Sequence, residues 1–440
     1  MHKRDQLLRT AGLLTLMSLL LRVVGLYGQS RITGIIGAEG VGLMQLSLAV
    51  QALAVTVGTS GIRYSVTRLV AEELGLGRPQ SIPRVLRVSL RYALIFSGGA
   101  ALLLYRFAGP LSLFAGDARV EPSLRWLALG LPFLSLNAVF GGYFTATQRP
   151  WKASLAQILE QVTMTAFVLL LLPRAGRDDL AQSCALIGMG GALADMVSLA
   201  LSLLLFGLER GGRIERRTAA PAVGLGGRLL RLSLPLALSS YARTALSTLQ
   251  HLLVPKALRR AGATAGAALA VYGTVSGMAL PVLFFFSVFF TALAEVIIPT
   301  LTETQMQGDT AALNRTARQV LSRCLLLAAG IALSLFVAGP ALGQILYKSA
   351  EAGRYIRALA PLVLVMYMDS VVDGMLKGLG LQLDAMFINI LDAGITLIMV
   401  WFLLPRYGAA AYIFILYFSE CFNFMFSLGR LRRLLRRKGL

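Results

Sequence analysis

Charged side chains are scarce in this 440-residue sequence, and acidic ones are the scarcest. Charged residues make up 14% of the chain, with 21 Asp and Glu in total, while hydrophobic residues make up 56%. A soluble domain of this length does not need so much apolar surface, so the composition excludes one. Apolar runs long enough to cross a hydrocarbon core of about 30 Å recur along the whole chain. The composition therefore predicts an all-α integral membrane protein that crosses the bilayer many times.

Cysteines and large polar loops are also scarce. The three cysteines lie far apart in apolar stretches, which excludes a cysteine-based metal site and a disulfide framework. The longest predicted outer loops, about 108–123 and 339–356, contain no cluster of acids or nucleophiles. A membrane-embedded glycan polymerase or ligase would need such a cluster, so we do not expect an enzyme.

Basic residues, in contrast, are abundant: 42 Lys and Arg give a formal net charge of +21. Most of them fall in the N-terminal segment, in alternate loops and in the C-terminal tail. The positive-inside rule then predicts that both termini are cytoplasmic. The basic excess indicates topology and attraction to anionic headgroups rather than a nucleic-acid partner. We interpret the apolar N-terminal run as an uncleaved span rather than a signal peptide, because the repeat described below requires it.

Hydropathy predicts twelve transmembrane helices. The eighth contains Pro281 and Pro299, which predict a kinked or broken helix. The predicted spans are 9–29, 41–66, 86–107, 124–146, 153–172, 182–206, 230–253, 266–298, 319–338, 357–379, 384–404 and 409–429.

The sequence contains an internal repeat. Residues 125–176 align without a gap to 357–408, and the polar positions agree: Gln157-Ile-Leu-Glu160 matches Asn389-Ile-Leu-Asp392. Because each copy holds six helices, the copies have the same orientation in the membrane. We therefore predict two pseudo-symmetric six-helix bundles that enclose a central cavity, which is the plan of an alternating-access transporter. The predicted domains are an N-terminal lobe (1–206), a cytoplasmic linker (207–228), a C-terminal lobe (229–430) and a basic tail (431–440).

Arginines within or beside the spans are the candidate anion-binding residues: Arg22, Arg31, Arg63 and Arg243. If the first helix enters the bilayer near Arg9, Arg22 lies about 20 Å along it at 1.5 Å per residue. An arginine at that depth is expected to face a wet cavity or a partner, and a guanidinium suits a phosphate. The repeat aligns Arg22 with Arg243, which predicts one on each wall of the cavity. The alternatives are pairing with a buried carboxylate for Arg22, and an interfacial position for Arg31 and Arg63.

Intramembrane acids form the second candidate group, which also includes Glu160, Asp195 and Glu420. Asp369, Asp373 and Lys377 lie on one face of the tenth span, and the alternative to a coupling role there is that Asp373 pairs with Lys377. Asn389, Asp392 and Thr396 form an oxygen-rich stripe on the eleventh span. These ligand types predict either coupling to Na⁺ or a proton, with Asn389 and Asp392 as the Na⁺ ligands, or hydrogen bonds between helices. No other cofactor is expected.

Several motifs resemble a known family. Arg22-Val-Val-Gly25, Ser30-Arg31, the run from Gly37 to Leu46 and the run from Gly61 to Glu73 resemble the stage V sporulation protein B family. That family is related to the MurJ/MviN lipid II flippases, in the superfamily that also holds the MATE drug exporters and polysaccharide flippases. Arg63 departs from the pattern, because proline is usual at that position.

The resemblance implies a flippase of the bacterial cytoplasmic membrane. Its substrate would be an undecaprenyl-diphosphate-linked glycan such as lipid II, carried by alternating access for peptidoglycan biosynthesis, sporulation or polysaccharide export. Arg22 matches a substrate-binding arginine of the lipid II flippases, whereas their second first-helix arginine falls at Gly28, so the diphosphate clamp is incomplete unless Arg31 replaces it. The family's Na⁺ site lies in the second lobe, in agreement with Asn389 and Asp392. Those relatives usually have fourteen helices, not twelve.

The competing function is a MATE-type exporter of organic cations coupled to Na⁺ or H⁺. Arginines on both walls of the cavity would favour an anionic headgroup, while acids and aromatics without arginine would favour a cation. Because only the arginine pair is placed symmetrically in the repeat, we favour the flippase. We expect a monomer whose partners are the lipid-linked glycan and the bilayer, with no nucleic acid.

Overall fold

The computed structural model describes residues 2–175, 179–210, 225–307 and 310–437. Every regular element in these ranges is helical, because the apolar runs satisfy their backbone hydrogen bonds within each segment. The α-helices are α1 (His2–Thr59), α2 (Ile62–Gly75), α3 (Ile82–Arg106), α4 (Ala108–Ala115), α5 (Glu121–Ala146), α6 (Pro150–Ala175), α7 (Leu180–Arg210), α8 (Leu225–Arg260), α9 (Ala265–Tyr272), α10 (Leu280–Leu283), α11 (Ser287–Met306), α12 (Thr310–Tyr347), α13 (Ala350–Leu359), α14 (Leu362–Gly378), α15 (Gln382–Phe402) and α16 (Leu404–Arg437).

The long first helix breaks at Gly37, where φ is 70° and ψ is −177°. A residue with a Cβ rarely adopts that φ, so the break at this position depends on glycine. A second break at Ser60 and Gly61, with φ values of 43° and 70°, separates α1 from α2. The first two predicted spans, 9–29 and 41–66, are therefore divided by a glycine break rather than by a loop.

By length and apolar composition, the described part of the chain contains nine stretches able to cross a membrane. The number is ten if α13 and α14, which meet at a bend of 53°, form one span. One stretch, Gly12–Gly75, includes the first two predicted spans, whereas α8, which holds the predicted span 230–253, is not among the nine. The all-helical membrane fold is confirmed. Twelve spans and the cytoplasmic location of both termini stay predictions.

The predicted break in the eighth span is confirmed. A π-helical segment (Gly273–Ala279) follows α9, and the chain turns at 284–286, just after Pro281, before α11 begins. Proline removes a backbone donor and weakens the helix around it. The π segment leaves a carbonyl available to another helix: Gly277 accepts a hydrogen bond of 2.9 Å from the Gln29 amide.

Backbone contacts divide the chain into two compact units. The first unit is Met1–Gly28 with Leu43–Thr248, and the second is Gln29–Gly42 with Leu249–Leu440. These differ from the predicted lobes, 1–206 and 229–430, because each unit takes a helical segment from the other half of the chain. Of the predicted linker, residues 211–224 lie outside the described residues, as do residues 438–440 of the predicted tail.

A row of hydrogen bonds explains why the first part of α8 belongs to the first unit. The Thr248 hydroxyl donates to the Ala49 carbonyl at 2.9 Å. The remaining pairs run antiparallel along α8: Thr56 with Thr244, Ser60 with Tyr241, Ser65 with Ser233, and Glu72 with Arg228. Near the start of α8, Leu229 is 1% exposed and belongs to the same apolar cluster as residues of α2 and α3. Hydroxyl pairs of this kind join helices where the surroundings are apolar.

Glycine contacts explain why residues 29–42 belong to the second unit. A Cβ on Gly42 would lie 2.2 Å from the Leu269 carbonyl oxygen, and one on Gly273 would lie 2.3 Å from the Ala38 carbonyl oxygen. The backbones of α1, α9 and the π segment therefore cross in direct contact. Small residues permit this approach.

The internal repeat reappears in the backbone. Gly116 and Lys348, which are 232 residues apart, have φ values of 96° and 51°, and both precede a helix. Gln148 and Gly380, with the same separation, have φ values of 59° and 79° in the turns that follow α5 and α14. A positive φ is uncommon in a residue that has a side chain. Each pair contains one such residue, Lys348 or Gln148, opposite a glycine with the same backbone conformation, which supports the duplication.

The same offset also relates two glycine contacts. A Cβ on Gly142 of α5 would lie 2.6 Å from the Arg63 carbonyl oxygen, and a Cβ on Gly374 of α14 would lie 2.6 Å from Ala294. The α2–α5 contact in the first unit therefore corresponds to the α11–α14 contact in the second. This pair of close contacts is therefore repeated in the two halves of the chain.

Candidate transport site

The predicted anion-binding arginines are distributed unequally between the units. Arg22, Arg63 and Arg243 belong to the first unit, and Arg31 belongs to the second. Arg22 is half-buried, whereas the other three are exposed. The repeat predicted Arg22 and Arg243 in opposite lobes, but the contacts group both in the first unit because α8 up to Thr248 packs on α1 and α2.

Arg63 lies against α5. A Cβ on Gly141 would be 3.4 Å from Arg63 Nε and 3.6 Å from its Cζ, so the guanidinium occupies the space that a side chain would fill. The next residue, Gly142, accepts a hydrogen bond of 3.1 Å from the Thr67 hydroxyl. One turn of α2 therefore packs on two successive glycines of α5. The absence of a side chain on these glycines provides the space for Arg63, at the position where the resembling family has proline.

Gly28, where the resembling flippases have a second arginine, has no room for a side chain. Gly28 is buried, and a Cβ there would lie 2.7 Å from Thr165 Oγ1 and 3.1 Å from its Cγ2. One turn earlier, Gly25 lies 4.0 Å from Gln161 by the same measure. The first part of α1 is therefore packed on α6 through glycines. Between Arg9 and Gly28, where this part of α1 ends in the first unit, Arg22 is the only arginine.

In the second unit, the predicted oxygen-rich stripe of α15 is hydrogen-bonded to α16. Asp392 accepts hydrogen bonds from Ser419 at 2.8 Å and from Thr396 at 3.5 Å. Asn389 accepts one from Asn423 at 2.8 Å. The helix-to-helix hydrogen bonds weighed as the alternative to ion coupling are therefore present. They hold the stripe in place between α15 and α16.

Further carboxyl groups surround this stripe. Asp369 of α14 lies within electrostatic range of Asp373, Asp392 and Glu420. Asp369 Oδ1 is buried and has no hydrogen-bond partner in the described part of the second unit. Its repeat equivalent in the first unit, Asn137, is hydrogen-bonded to two hydroxyls of α7. The duplication has thus placed an unsatisfied carboxyl oxygen in one copy where the other has a satisfied amide.

Among the residues with described side chains, no three His, Cys, Asp or Glu groups are arranged to hold a metal ion. A Na⁺ ion at the stripe would therefore need amide, hydroxyl or backbone oxygens as well as carboxylates. Asp369 Oδ1 fits such a role, because it is a buried oxygen that lacks a donor. The oxygens of Asn389 and Asp392 are already engaged, so an ion there would replace hydrogen bonds from α16.

A cleft of about 140 Å³ lies within the first unit, bounded by the second part of α1 and by α5, α6 and α7. Two carboxyl groups, Glu160 and Asp195, line it together with apolar side chains and a few neutral polar ones. None of the four candidate arginines is among its lining residues. The sequence identified both acids as intramembrane groups but not the glutamines beside them, Gln51 and Gln161, whose helical spacing carries no distinctive signal.

Comparison with solved structures shows which class of protein has this fold. A multidrug resistance MATE family transporter of the MOP superfamily, in its inward-facing conformation, superposes with a TM-score of 0.67 over 96% of this chain and 95% of that one, at 15% identity. A MOP superfamily transporter from Pyrococcus furiosus, described by a reversed polarity of its binding pocket, superposes with a TM-score of 0.65 at 15% identity, over 98% of this chain and 96% of that one. The chain has the fold of MOP-superfamily membrane transporters.

Sequence comparison then shows the family. The polysaccharide biosynthesis protein family matches residues 7–305, and the chain belongs to it. Stage V sporulation protein B of Bacillus subtilis (strain 168) is 26% identical over 400 residues, covering 89% of this chain and 75% of that protein. Sporulation protein YkvU of the same organism is 23% identical over 379 residues, covering 84% of this chain and 81% of that protein. The resemblance inferred from the motifs around Arg22 and Gly37 is confirmed.

Proposed function

We propose that this protein is an alternating-access flippase that moves a polyprenyl-diphosphate-linked saccharide across the bacterial cytoplasmic membrane. The family match over residues 7–305 carries the proposal at the level of a polysaccharide or lipid-linked precursor exporter. The diphosphate headgroup and the undecaprenyl chain are our inference from Arg22. The protein acts as a monomeric transporter without a catalytic residue.

Arg22 supports an anionic headgroup. It is half-buried in α1, which belongs to the predicted membrane region, and a guanidinium there is retained only where it meets a cavity or a partner. Its fork of donors binds the oxygens of a phosphate in pairs, and it keeps its charge when partly desolvated. The tight contact between Gly28 and Thr165 leaves Arg22 as the only anchor between Arg9 and Gly28, so Arg31, Arg63 and Arg243 are the remaining candidates for the second contact with the diphosphate.

The second unit supplies the candidate coupling group. Asn389, Asp392 and Thr396, with Asp369 and Asp373 nearby, would hold Na⁺ or exchange a proton. The bound cation would supply one positive charge that offsets the carboxylates and changes the hydrogen bonds between α15 and α16. Release of the cation to one side of the membrane would then favour one conformation over the other.

The experiment is rescue of a cell depleted of its native flippase. Arg22→Ala should abolish rescue while the protein remains in the membrane, and Arg22→Lys should give partial rescue because an ammonium lacks the bidentate fork. The matched control is Arg125→Ala, which removes an exposed arginine paired with Glu121 and should rescue fully. Full rescue by both Arg22→Ala and Arg243→Ala would contradict the diphosphate clamp.

One observation favours the competing function, a MATE-type exporter of organic cations coupled to Na⁺ or H⁺. The cleft in the first unit is lined by two carboxyl groups and none of the candidate arginines, which is the lining that a cation prefers. A drug-susceptible strain expressing the protein distinguishes the two. Increased resistance to lipophilic cations that is lost in Asp195→Asn would favour the exporter, and unchanged susceptibility would favour the flippase.

A further inference from the structure

A chain of hydrogen bonds joins three helical segments of the second unit. The Tyr272 hydroxyl lies 3.1 Å from His251 Nδ1. Tyr272 is also hydrogen-bonded to the side chain of Ser276, whose hydroxyl lies 2.7 Å from that of Tyr412. His251 belongs to α8, Tyr272 ends α9, Ser276 lies in the π segment and Tyr412 belongs to α16. Neither the arginine clamp nor the α15 stripe uses any of these four side chains.

The hydrogen-bonded chain lies at the end of the second unit that the predicted topology places on the outer side. His251, Tyr272 and Tyr412 are each within three turns of the nearer end of their helix. The same helix ends meet again where a Cβ on Gly408 would lie 3.9 Å from the Cβ of Ala261. The four side chains therefore connect α8, α9 and α16 close to one surface of the membrane region.

Burial differs along the chain. Tyr272 is 1% exposed and Tyr412 is 3% exposed, whereas His251 is half-buried. A buried hydroxyl needs a hydrogen-bond partner, and the chain supplies one to each phenol. The other ring nitrogen of His251, Nε2, has no hydrogen-bond partner among the described residues and is not enclosed. His251 is thus an imidazole with one nitrogen bonded to the interior and the other accessible to a proton.

No charged group of the described residues lies within electrostatic range of His251. The elements that hold the ring, α9 and the π segment, contain no charged residue. The segments packed around them carry charged residues farther along: Glu39 on α1, Lys256 on α8, Glu351, Arg354 and Arg357 on α13, and Arg406 and Glu420 on α16. Protonation of His251 would therefore place a single positive charge among neutral partners.

We propose that His251 is a proton-binding site of the second unit, and that Tyr272, Ser276 and Tyr412 transmit its charge state to α16. The neutral imidazole either accepts or donates a hydrogen bond at Nδ1, depending on its tautomer, so the chain can run in either direction. The imidazolium has a hydrogen on both nitrogens and can only donate. Tyr272 must then accept from Nδ1 and donate to Ser276, which donates to Tyr412.

Protonation in this way changes the contact between the three segments without breaking a covalent bond along the chain. The added proton stays on the imidazole, and the hydroxyl hydrogens rotate. Because no counter-charge is near, the imidazolium favours an arrangement in which water reaches the ring, so the contact between α8, α9 and α16 becomes dependent on pH. The proposal concerns proton binding, and it stands whether or not the transported lipid is the one proposed above.

The test is an NMR titration of the full-length protein with isotope-labelled histidine in detergent micelles. The sequence contains two histidines, so His2→Gln with a histidine-free affinity tag leaves His251 as the single signal. That signal should titrate in one step between about pH 4 and pH 9. Tyr272→Phe should move the midpoint to lower pH by about 0.5–1 unit, because it removes the acceptor of the imidazolium and hydrogen bonds to charged groups are the stronger ones.

Tyr412→Phe tests the chain rather than the first contact. It leaves Ser276 without an acceptor only when His251 is protonated, so the midpoint should move in the same direction by about 0.2–0.5 unit. Ser276→Ala interrupts the chain with a smaller change of side chain and should act as Tyr412→Phe does. The matched control is Tyr417→Phe, which removes from the same helix a hydroxyl that donates to the Ala358 carbonyl at 2.7 Å; it should leave the midpoint unchanged.

Three results would overturn the proposal. The first is a His251 signal that does not titrate in this range. The second is a midpoint that stays at the wild-type value in both Tyr272→Phe and Tyr412→Phe. The third is an equal shift in Tyr417→Phe, because the hydrogen-bonded chain would then not be what acts on His251.

Discussion

Gly28→Ala should destabilise the first unit, and Thr165→Ala should relieve the damage. A Cβ on Gly28 would lie 2.7 Å from Thr165 Oγ1 and 3.1 Å from its Cγ2, well inside ordinary contact, but 3.5 Å from Thr165 Cβ. The first two atoms are absent from alanine, while the third distance is already acceptable. The two substitutions together therefore test whether the hydroxyl and methyl groups of Thr165 leave no room for a side chain at position 28 of α1.

Opposing effects determine the magnitude. Forcing a methyl group into a packed interface costs about 1–3 kcal/mol, while replacing glycine by alanine within a helix contributes about 0.5–1 kcal/mol of stabilisation. We therefore expect Gly28→Ala to lower the free energy of unfolding by about 1–2 kcal/mol. In the double variant the clash is gone while the helix-propensity gain remains, so the coupling energy should equal the clash itself, about 1–3 kcal/mol in the stabilising direction. Gly28→Arg, which introduces the second arginine of the resembling flippases, should be worse than Gly28→Ala.

The assay is reversible unfolding in mixed detergent micelles, followed by circular dichroism, for the two single variants and the double variant. Gly12→Ala is the control in the same helix, because nothing lies within 4 Å of a Cβ there; it should be neutral or slightly stabilising. If Gly28→Ala is as stable as the wild type and shows no coupling to Thr165→Ala, steric exclusion does not explain the missing second arginine.

Two further predictions concern coupling and the packing of α6 on α7. Asp392→Asn should reduce transport and weaken its dependence on Na⁺ or pH, measured in proteoliposomes under imposed ion gradients; an unchanged ion dependence would remove the coupling role of the α15 stripe. Lys152 is 8% exposed and lies 2.5 Å from Glu209, so Lys152→Glu should lower the free energy of unfolding by about 3–5 kcal/mol. The charge-reversed pair Lys152→Glu with Glu209→Lys should recover part of that loss in a thermal unfolding measurement, and no recovery would indicate that the pair does not interact.

The helical class and the duplication are readable from sequence because they depend on short segments. A window of apolar residues indicates a membrane helix regardless of its neighbours, and proline and glycine mark breaks locally, as Pro281 and Gly37 do. The repeat also survives in charge: Lys152 pairs with Glu209, and its equivalent Asp384 pairs with Arg430. The basic and acidic partners exchange places between the two copies, while an ion pair is kept in each. Counting identical residues therefore underestimates how similar the two halves are.

The candidate site was only partly predictable. The acids Glu160, Asp195, Asp369 and Asp392 are conspicuous in sequence, because ionisable groups are rare in apolar spans. Their partners are not, since serine, asparagine and glutamine occur throughout such helices. The hydrogen bonds from Ser419 and Asn423 join residues about thirty positions apart, at distances of 2.8 Å that depend on how α15 and α16 are rotated about their axes.

The sequence by itself determined that the chain is a helical membrane protein built from two similar halves, with arginine and carboxyl groups inside its spans. Those properties follow from hydropathy and from alignment, which need no knowledge of which helices meet. Only the tertiary structure decided that residues 29–42 belong to the second unit and the first part of α8 to the first. It also decided that Thr165 fills the space beside Gly28 and that Asp195 lines a cleft. Each of these is a contact between distant segments, and helix packing rather than local composition determines which distant segments touch.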